Sequence, residues 1–409
     1  MLIYAPRAAK QENAMSDLLS LLTLISGFLV LYHHLGYPLI LRFINKRHPS
    51  KAAQPSPRHY TNSAADNTLP TIAIVIPAYN EAQWIAEKIR NLAALDYPSS
   101  RLQVIISCDG CTDDSYPIAL KTAAEAECQH LDITILNFTE NRGKVALLNR
   151  LIGDLSCDLV ALSDTSALLS IDALLIAAER FKDPKIGVLN GHYRLLSPGS
   201  LGEKAYWDYQ SQIKASEAVL GSTLGAHGAF YLFRRALFEP LAADTINDDF
   251  ILPMKIVAAG YRAEYESSIN ALELEKSSDS QDRQRRRRIA AGNFQQLLRL
   301  KRLFLPHYGG VSFAFISGKG LRVIMPFLMI SALLGSLLLA FDQPLFFILA
   351  LLQLSAYGLA TWQILFNPAT SHKLCKLLAY LVSGHIAGLI GTLRYLLRLD
   401  KGRWKKINS

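Results

Sequence analysis

Apolar positions fall along the chain in three regimes. From about Asp17 to Ile44 they form a near-continuous run, in the middle they break into short blocks, and from about Leu321 to Leu399 they become near-continuous again. At about 1.5 Å of rise per residue the first run is long enough to cross about 30 Å of hydrocarbon. In the middle, IAIVI (Ile72 to Ile76), LQVIIS (Leu102 to Ser107), DITIL (Asp132 to Leu136) and CDLVAL (Cys157 to Leu162) have the form of strands. Between them Glu81 to Leu95, Ser115 to Glu127 and Lys144 to Gly153 are expected to be helices. Strands alternating with helices of this length predict an α/β fold with a mostly parallel sheet and right-handed crossovers, flanked by transmembrane helices. In such sheets ligands bind beyond the carboxyl ends of the strands, so the loops there are the place to look for chemistry.

The first apolar run exceeds the h-region of a signal peptide, about 7 to 15 residues, and no small-residue cleavage site follows it. It is expected to be an anchor. Arg42, Lys46, Arg47 and Lys51 come directly after it, and the positive-inside rule then places the middle domain in the cytoplasm of a multi-pass protein of the cell (inner) membrane. Val323 to Ala340 and Leu345 to Phe366 are further spans joined by FDQP. Leu377 to Leu393 is interrupted by Ser383, Gly384, His385, Gly388 and Gly391 and is followed by the basic tail LRLDKGRWKK. Charge argues that this segment is interfacial or re-entrant, hydropathy that it crosses, so the count stands at three or four spans. The expected division is 1–44 anchor, 45–70 a linker rich in Pro, Ser, Asn and Ala, 71–302 the α/β domain, and 303–409 a membrane region of two or three helices with a basic tail.

Composition narrows the class. At 409 residues and 50% hydrophobic the chain is too apolar for an ordinary soluble enzyme. Its net charge of +9 is densest from Arg283 to Arg302, beside a membrane segment, where headgroups or nucleotide phosphates are the expected partners. No helix-turn-helix or zinc-finger pattern is present, so nucleic acid is not expected. Cys108 and Cys111 form one CxxC with no second pair, a poor zinc site. No GxGxxG or GxxxxGK[ST] follows the first strand, which removes the usual dinucleotide and P-loop readings.

The strand-end loops hold a polar set: Pro77, Tyr79, Asn80 and Glu81; Asp109, Gly110, Thr112 and Asp113; Asn141, Arg142, Gly143 and Lys144; Asp164, Thr165 and Ser166. Any one loop alone is ordinary turn and cap chemistry. Carboxylates at several strand ends with one lysine suit a divalent cation that shares a diphosphate, because hard cations take oxygen ligands.

Taken in order, IVIPAYNEAQWI, CDGCTDDS, ENRGKVALLN and ALSDTSALLS closely resemble the family-2 glycosyltransferases of GT-A-type fold. The likeness runs from about Ile72 to Gly292, and the nearest kin are membrane-bound members, of the exopolysaccharide and poly-N-acetylglucosamine-synthase-like kind. The resemblance implies a nucleotide pocket lined by Ala78, Tyr79 and Glu81 with Pro77 and Asn80 beside them, a base, usually uracil, read by Asp109 next to Gly110, and a diphosphate met by Lys144. Asp164 matches the first acid of the DxD motif, which binds Mg²⁺ or Mn²⁺ with the donor phosphates. The second acid is Ser166, so this position is either a weaker metal contact or a helix cap, with Thr165 between. GSTLGAHGAFYLFRR matches the stretch that meets sugar and acceptor, where Gly225 and Gly228 allow close approach and His227 either touches the ligands or serves the loop. Asp248 and Asp249 open a helix that Gly260 should end, and that register makes Asp249 the general base. RQRRRRIAAGN sits where polymerising relatives carry QxxRW, placing Arg288 on the motif arginine and Ile289 on its tryptophan.

The activity implied is inverting transfer from a nucleotide-sugar, UDP-linked by expectation, to a lipid-linked or saccharide acceptor in surface polysaccharide synthesis, with polysaccharide-assembly proteins as possible partners. Two alternatives stand beside it: a processive polysaccharide synthase, and a membrane scaffold that has lost activity.

Overall fold

The computed structural model describes residues 5–47, 64–197, 201–275, 279–366 and 372–399. Most of the expected linker, the side chain of Tyr206 and the tail beyond Leu399 lie outside the described residues. In chain order the elements are α1 (Ala5–Leu31), a π-helical turn (Tyr32–Gly36), α2 (Tyr37–Arg47), β1 (Ile72–Ala78), α3 (Ile85–Ala93), β2 (Leu102–Asp109), α4 (Ser115–Ala123), β3 (Asp132–Phe138) and α5 (Lys144–Gly153). There follow β4 (Leu159–Ser163), β5 (Ala167–Leu169), α6 (Ala173–Arg180), β6 (Ile186–Leu195), α7 (Leu201–Val219), β7 (Phe230–Arg234), α8 (Asp248–Ala258), β8 (Arg262–Glu273) and α9 (Asp279–Arg299). The chain closes with α10 (Gly310–Ala314), a second π-helical turn (Phe315–Gly320), α11 (Leu321–Leu339), α12 (Pro344–Phe366) and α13 (Lys373–Leu396). These form two units, one of Met1–Ile40, Arg283–Phe294 and Ile316–Leu399, the other of Leu41–Asp282, Gln295–Phe315 and Asp400–Ser409.

The second unit is built on one eight-stranded sheet in the order β3-β2-β1-β4-β7-β6-β8-β5. Parallel pairing holds for β3 with β2, β2 with β1, β1 with β4 and β6 with β8, and the other neighbours are antiparallel, so the sheet is mixed with its parallel half first in sequence. β1 explains its own unbroken apolar run. Ile72, Ile74 and Ile76 pack into a core with Ile85, Ile89 and Leu92 of α3, while Val75 faces the opposite core with Val145 and Leu148 of α5 and Phe250 of α8. A strand covered on both faces has no polar side to display. Register then places the ends of β1 and β2 side by side, Ile76 opposite Ile106 and Ala78 opposite Cys108.

Two expected helices are shorter than anticipated. Glu81–Trp84 forms a turn rather than the start of α3, because Asn80 sits in the left-handed region at φ 56° and the Glu81 N–H is held by Ser115 Oγ at 2.7 Å. The helix from Ser115 ends at Ala123, with a separate 3₁₀ turn over Ala126–Cys128.

In the first unit α1 and α11 run antiparallel. Ser20 Oγ accepts from Gln343 Nε2 at 3.3 Å, Ser26 Oγ donates to Ser331 Oγ at 3.3 Å, and the Tyr32 hydroxyl meets Ser317 Oγ at 2.9 Å. Thr23 packs so tightly on Gly335 that a Cβ there would lie 1.9 Å from its Oγ1. α13 passes unbroken through Gly384, Gly388 and Gly391. At Gly391 a Cβ would fall 2.6 Å from that of Ala290 on α9, so this glycine serves a helix contact and not a break. Four helices are long and apolar enough to cross a membrane: Ala14–Arg47, Gly310–Leu339, Pro344–Phe366 and Lys373–Leu396.

Candidate active site

The loops after β1 and β2 are stitched to one another before any ligand is considered. Asn80 Oδ1 accepts from the Thr112 N–H at 2.8 Å, and Asp113 accepts from the N–H groups of Ala82, at 3.1 Å, and Ser115, at 3.0 Å. Asp109 accepts from the N–H groups of Arg142, at 3.0 Å, and Gly143, at 2.9 Å, tying β2 to the loop that precedes α5. Gly110 is required there. Its φ is +68°, and a Cβ would lie 2.4 Å from the Asn141 backbone nitrogen. The Cys108 thiol, near the end of β2, hydrogen-bonds Cys111 in the loop that follows, and this bond is the main force that draws the Cys111 thiol below its ordinary value. The Asn80 N–H, 3.4 Å from Cys111 Sγ, acts in the same direction. Pro77 and Ala78 are buried at the end of β1, with Tyr79 half-buried beyond them.

The charged centre is assembled from three elements. Lys144, the first residue of α5, lies 3.5 Å from Asp164 Oδ1 and 3.4 Å from Asp248 Oδ2. Asp248 and Asp249 occupy the first turn of α8, where the helix dipole favours negative charge. α8 ends at Ala258 and Gly260 follows with φ +99°, as the register requires. The loop carrying Gly228 runs between the acids: Ala226 N–H donates to Asp249 O at 2.8 Å and Asp164 N–H to Ala229 O at 3.3 Å. A Cβ on Gly228 would lie 3.2 Å from Asp164 Oδ2 and 3.7 Å from Asp249 Oδ2. Two carboxylates therefore converge on a space that only a glycine leaves open, while Lys144 occupies the third, Asp248.

His227 is held in an aromatic cluster beside this centre. Its ring stacks on Tyr193 at 3.8 Å and meets Trp207 edge-on at 4.9 Å, and its Nδ1 accepts from the Ala229 N–H at 3.2 Å. Arg288 and Ile289 are on the part of α9 that belongs to the first unit, and the Arg288 side chain is exposed.

Three participants escaped the motifs. Lys88 of α3 is wholly buried and donates to Ser163 Oγ at 2.7 Å and to the Ala167 carbonyl, so it grips both ends of the loop that carries Asp164, Thr165 and Ser166. Burial pulls its ammonium down to about 7, against the opposing charges of Asp164 and Glu273. Glu273, at the end of β8, is placed opposite Ala167 by the β5–β8 pairing and hydrogen-bonds Ser166, where the motif's second acid is missing. Burial raises its carboxyl above the usual range, the Ser166 bond opposes this, and the charge of Asp164 adds to it. Tyr231 of β7 keeps its hydroxyl buried, without a hydrogen-bond partner among the described residues, within reach of the charges of Asp248, Asp249 and Asp164. The signal for Lys88 was legible: Ile85, Lys88, Ile89 and Leu92 share one helix face, and a lysine on an apolar face needs a reason.

The donor set is all oxygen, the kind hard cations select. Among the described residues no group of three or more His, Cys, Asp or Glu is gathered closely enough to hold a metal by itself. The Asp164 carboxylate, with the Ser166 hydroxyl and Glu273 beside it, fits a Mg²⁺ or Mn²⁺ that completes its shell with phosphate and water, as such ions do.

A parallel half-sheet with these acids at its strand ends defines the GT-A class. Residues 70–292 match the profile described as "Glycosyltransferase like family 2", and the chain belongs to that family. Over 203 residues it is 30% identical to poly-beta-1,6-N-acetyl-D-glucosamine synthase of Staphylococcus aureus strain COL, covering 48% of each chain. The same-named protein of Staphylococcus epidermidis is 27% identical over 203 residues, again 48% of each. The matched segment thus spans about half the length of these relatives. The mannosyltransferase PcManGT from Pyrobaculum calidifontis, solved with GDP-Man and Mn²⁺, superposes with a TM-score of 0.70 at 21% identity, covering 93% of this chain and 100% of that one. That likeness shows the GT-A fold.

Proposed function

We propose that this chain moves a sugar from a nucleotide-sugar to a saccharide or lipid-linked acceptor by a single inverting displacement. The convergence of Asp164 and Asp249 on the space above Gly228, with Lys144 bound to Asp164 and Asp248, is the observation that carries it. Asp249 takes the proton of the acceptor hydroxyl as it attacks the anomeric carbon. Lys144 offsets charge on the departing diphosphate, and Asp248 holds Lys144 in place. Asp109 orders the loop that begins α5 and keeps lone pairs with which to meet a base. A divalent cation, held by Asp164 with Ser166 or Glu273 nearby, would supply Lewis-acid stabilisation of the diphosphate. The assignment of Arg288 to the same phosphates rests on motif register. The basic residues after α1 support a membrane location with the second unit on the cytoplasmic side, where nucleotide-sugars are made.

A processive synthase is the second reading. The similarity to poly-N-acetylglucosamine synthases favours it, and half-buried Trp207 and His227, backed by buried Tyr193, offer aromatic surface that Ile289 does not. Membranes containing the protein, given a panel of UDP- and GDP-sugars with and without chelator, test the assignment. Metal-dependent consumption of at least one donor, abolished in Asp249→Asn, is expected, with product size separating one addition from many. Equal consumption by the wild type and Asp249→Asn would refute it.

A further inference from the structure

We propose that the first unit carries a binding site for the phosphate group of a membrane lipid, formed by Arg322 together with His33, His34 and His385. The site is independent of the transfer chemistry above and uses none of its residues.

The cluster lies at one end of the antiparallel α1–α11 pair, where both helices loosen into π-helical turns, Tyr32–Gly36 and Phe315–Gly320. Such turns free backbone groups and recur at functional positions. Here the freed Ser317 carbonyl accepts from His33 Nδ1 at 2.8 Å, which fixes the tautomer: Nδ1 carries the hydrogen. His34 Nε2 and His385 Nε2 are 3.1 Å apart, and the three rings follow one another edge to face, at 5.0 Å and 5.1 Å between centroids. Arg322 stands five residues beyond Ser317, in the first turn of α11 and so at this same end of the helix pair.

No acid of this unit can neutralise that charge. Its acidic residues are Glu12, Asp17 and Asp342. Asp342 and Asp17 flank the Ser20–Gln343 contact at the other end of the helix pair. Fifteen residues of helix separate Asp17 from Tyr32, about 22 Å. An arginine at the histidine end of this helix pair, with no carboxylate of its own unit at that end, is a site for an anion brought from outside. Position says which anion. Counted from Leu339, Arg322 stands about 25 Å along α11, near one edge of a span of about 30 Å, the level of lipid phosphates. Leu35, Leu39, Ile324, Phe327 and Ile386 are exposed around it, an apolar surface for the lipid's chains. Guanidinium binds phosphate oxygens in bidentate fashion, and of the His34–His385 pair the ring that accepts at Nε2 keeps its Nδ1–H as a further donor, while His33, committed to Ser317, buttresses the cluster.

Two lipids bring this chemistry, a phosphate monoester on a polyprenol and the phosphodiester of a bulk headgroup. The full chain would be reconstituted in phosphatidylcholine nanodiscs with trace labelled polyprenyl phosphate, using unphosphorylated polyprenol as control and phosphatidylglycerol as competitor. Arg322→Gln and His385→Asn are expected to lower retention of polyprenyl phosphate by at least about tenfold, the scale of a lost charge-assisted pair, with Arg322→Lys restoring part. Weak competition by phosphatidylglycerol assigns the site to the monoester, and equimolar competition assigns it to headgroups. Both support a lipid-phosphate site. Equal retention of polyprenol, or unchanged retention by an Arg322→Gln protein that elutes as the wild type does, overturns it. Should Arg322→Gln fail to fold, loss of retention in folded His385→Asn decides in favour and full retention decides against.

Discussion

Replacing Lys88 by methionine should change the pH dependence of stability more than stability itself. The ammonium is wholly buried and drawn from 10.5 to about 7. Between those values the unfolded chain holds a proton that the folded chain has released, so this site's contribution to stability rises with pH through the window and is flat outside it. At about 1.4 kcal/mol per unit, the shift sets an upper bound of about 5 kcal/mol on the rise. Methionine fills much the same volume without the charge, but leaves the Ala167 carbonyl without its lysine donor, at a cost of about 1–3 kcal/mol. Ser163 Oγ still donates to Ala229 O at 2.8 Å. The two terms give a crossing: below about pH 7 the Lys88→Met protein should match or exceed the wild type, and near pH 9 it should be the less stable. Thermal midpoints in detergent with chelator, taken in steps from pH 6 to 10 for both proteins, measure this. A wild-type-minus-variant gap that stays flat across that range would show that Lys88 is not the buried, shifted group described.

Asp249→Asn keeps shape and removes the proton acceptor, so turnover should fall by about 10²-fold or more with donor affinity little changed, and Asp248→Asn should instead weaken donor binding through Lys144. Steady-state kinetics and nucleotide titrations distinguish the two. Gly228→Ala puts a methyl 3.2 Å from Asp164 Oδ2 without backbone strain, since Gly228 lies outside the left-handed region. It should raise the metal concentration for half-maximal activity by about tenfold, on the scale of a weakened oxygen ligand, with the melting temperature held. α13 keeps company with an arginine-rich helix along much of its length, through Arg286 over the Tyr380 ring at 4.2 Å, Ala290 at Gly391, and Phe294 against Tyr395 at 5.7 Å. It is therefore expected to lie along the bilayer surface. Single-cysteine labelling beyond Leu399 should then match labelling near Arg47, and labelling from opposite sides would refute it.

Local patterns disclosed the parallel half of the sheet because each of its strands is a short apolar run followed by its own polar loop. β1 begins at Ile72 as IAIVI predicts and runs two residues further, to Ala78, and Lys144, Asp164 and Asp249 each sit at or beside an element end, where register is easiest to read. The remaining features depend on distant pairing. Glu273 reaches Ser166 only through β5 and β8, and no spacing in the sequence links residues 166 and 273. β6 and β8 pair with irregular register at Ile186/Val188 and Gly191/His192, which blurs the period-two pattern that would mark them. Helix ends depart from the local pattern where side chains take up backbone groups, as Ser115 does at Glu81. The continuity of α13 was masked by glycines whose purpose, at Gly391, is to admit another helix.

The seam between α1 and α11 bears on how the protein is made. Ser26 and Ser331 meet across 305 residues of chain. At about 5–20 residues per second, about 15–60 s of synthesis separate the two helices. During that interval α1 is in the bilayer with its partner still unwritten, and its polar groups must be satisfied alone. Thr23 is equipped for this, since its hydroxyl donates to the Leu19 carbonyl at 2.7 Å within its own helix. His33 has no such provision, because its acceptor is the Ser317 carbonyl. The first helix is thus provided for at Thr23 but not at Ser26 or at its histidine end, and the latter is the place where a membrane chaperone or a lipid would be needed until α11 arrives.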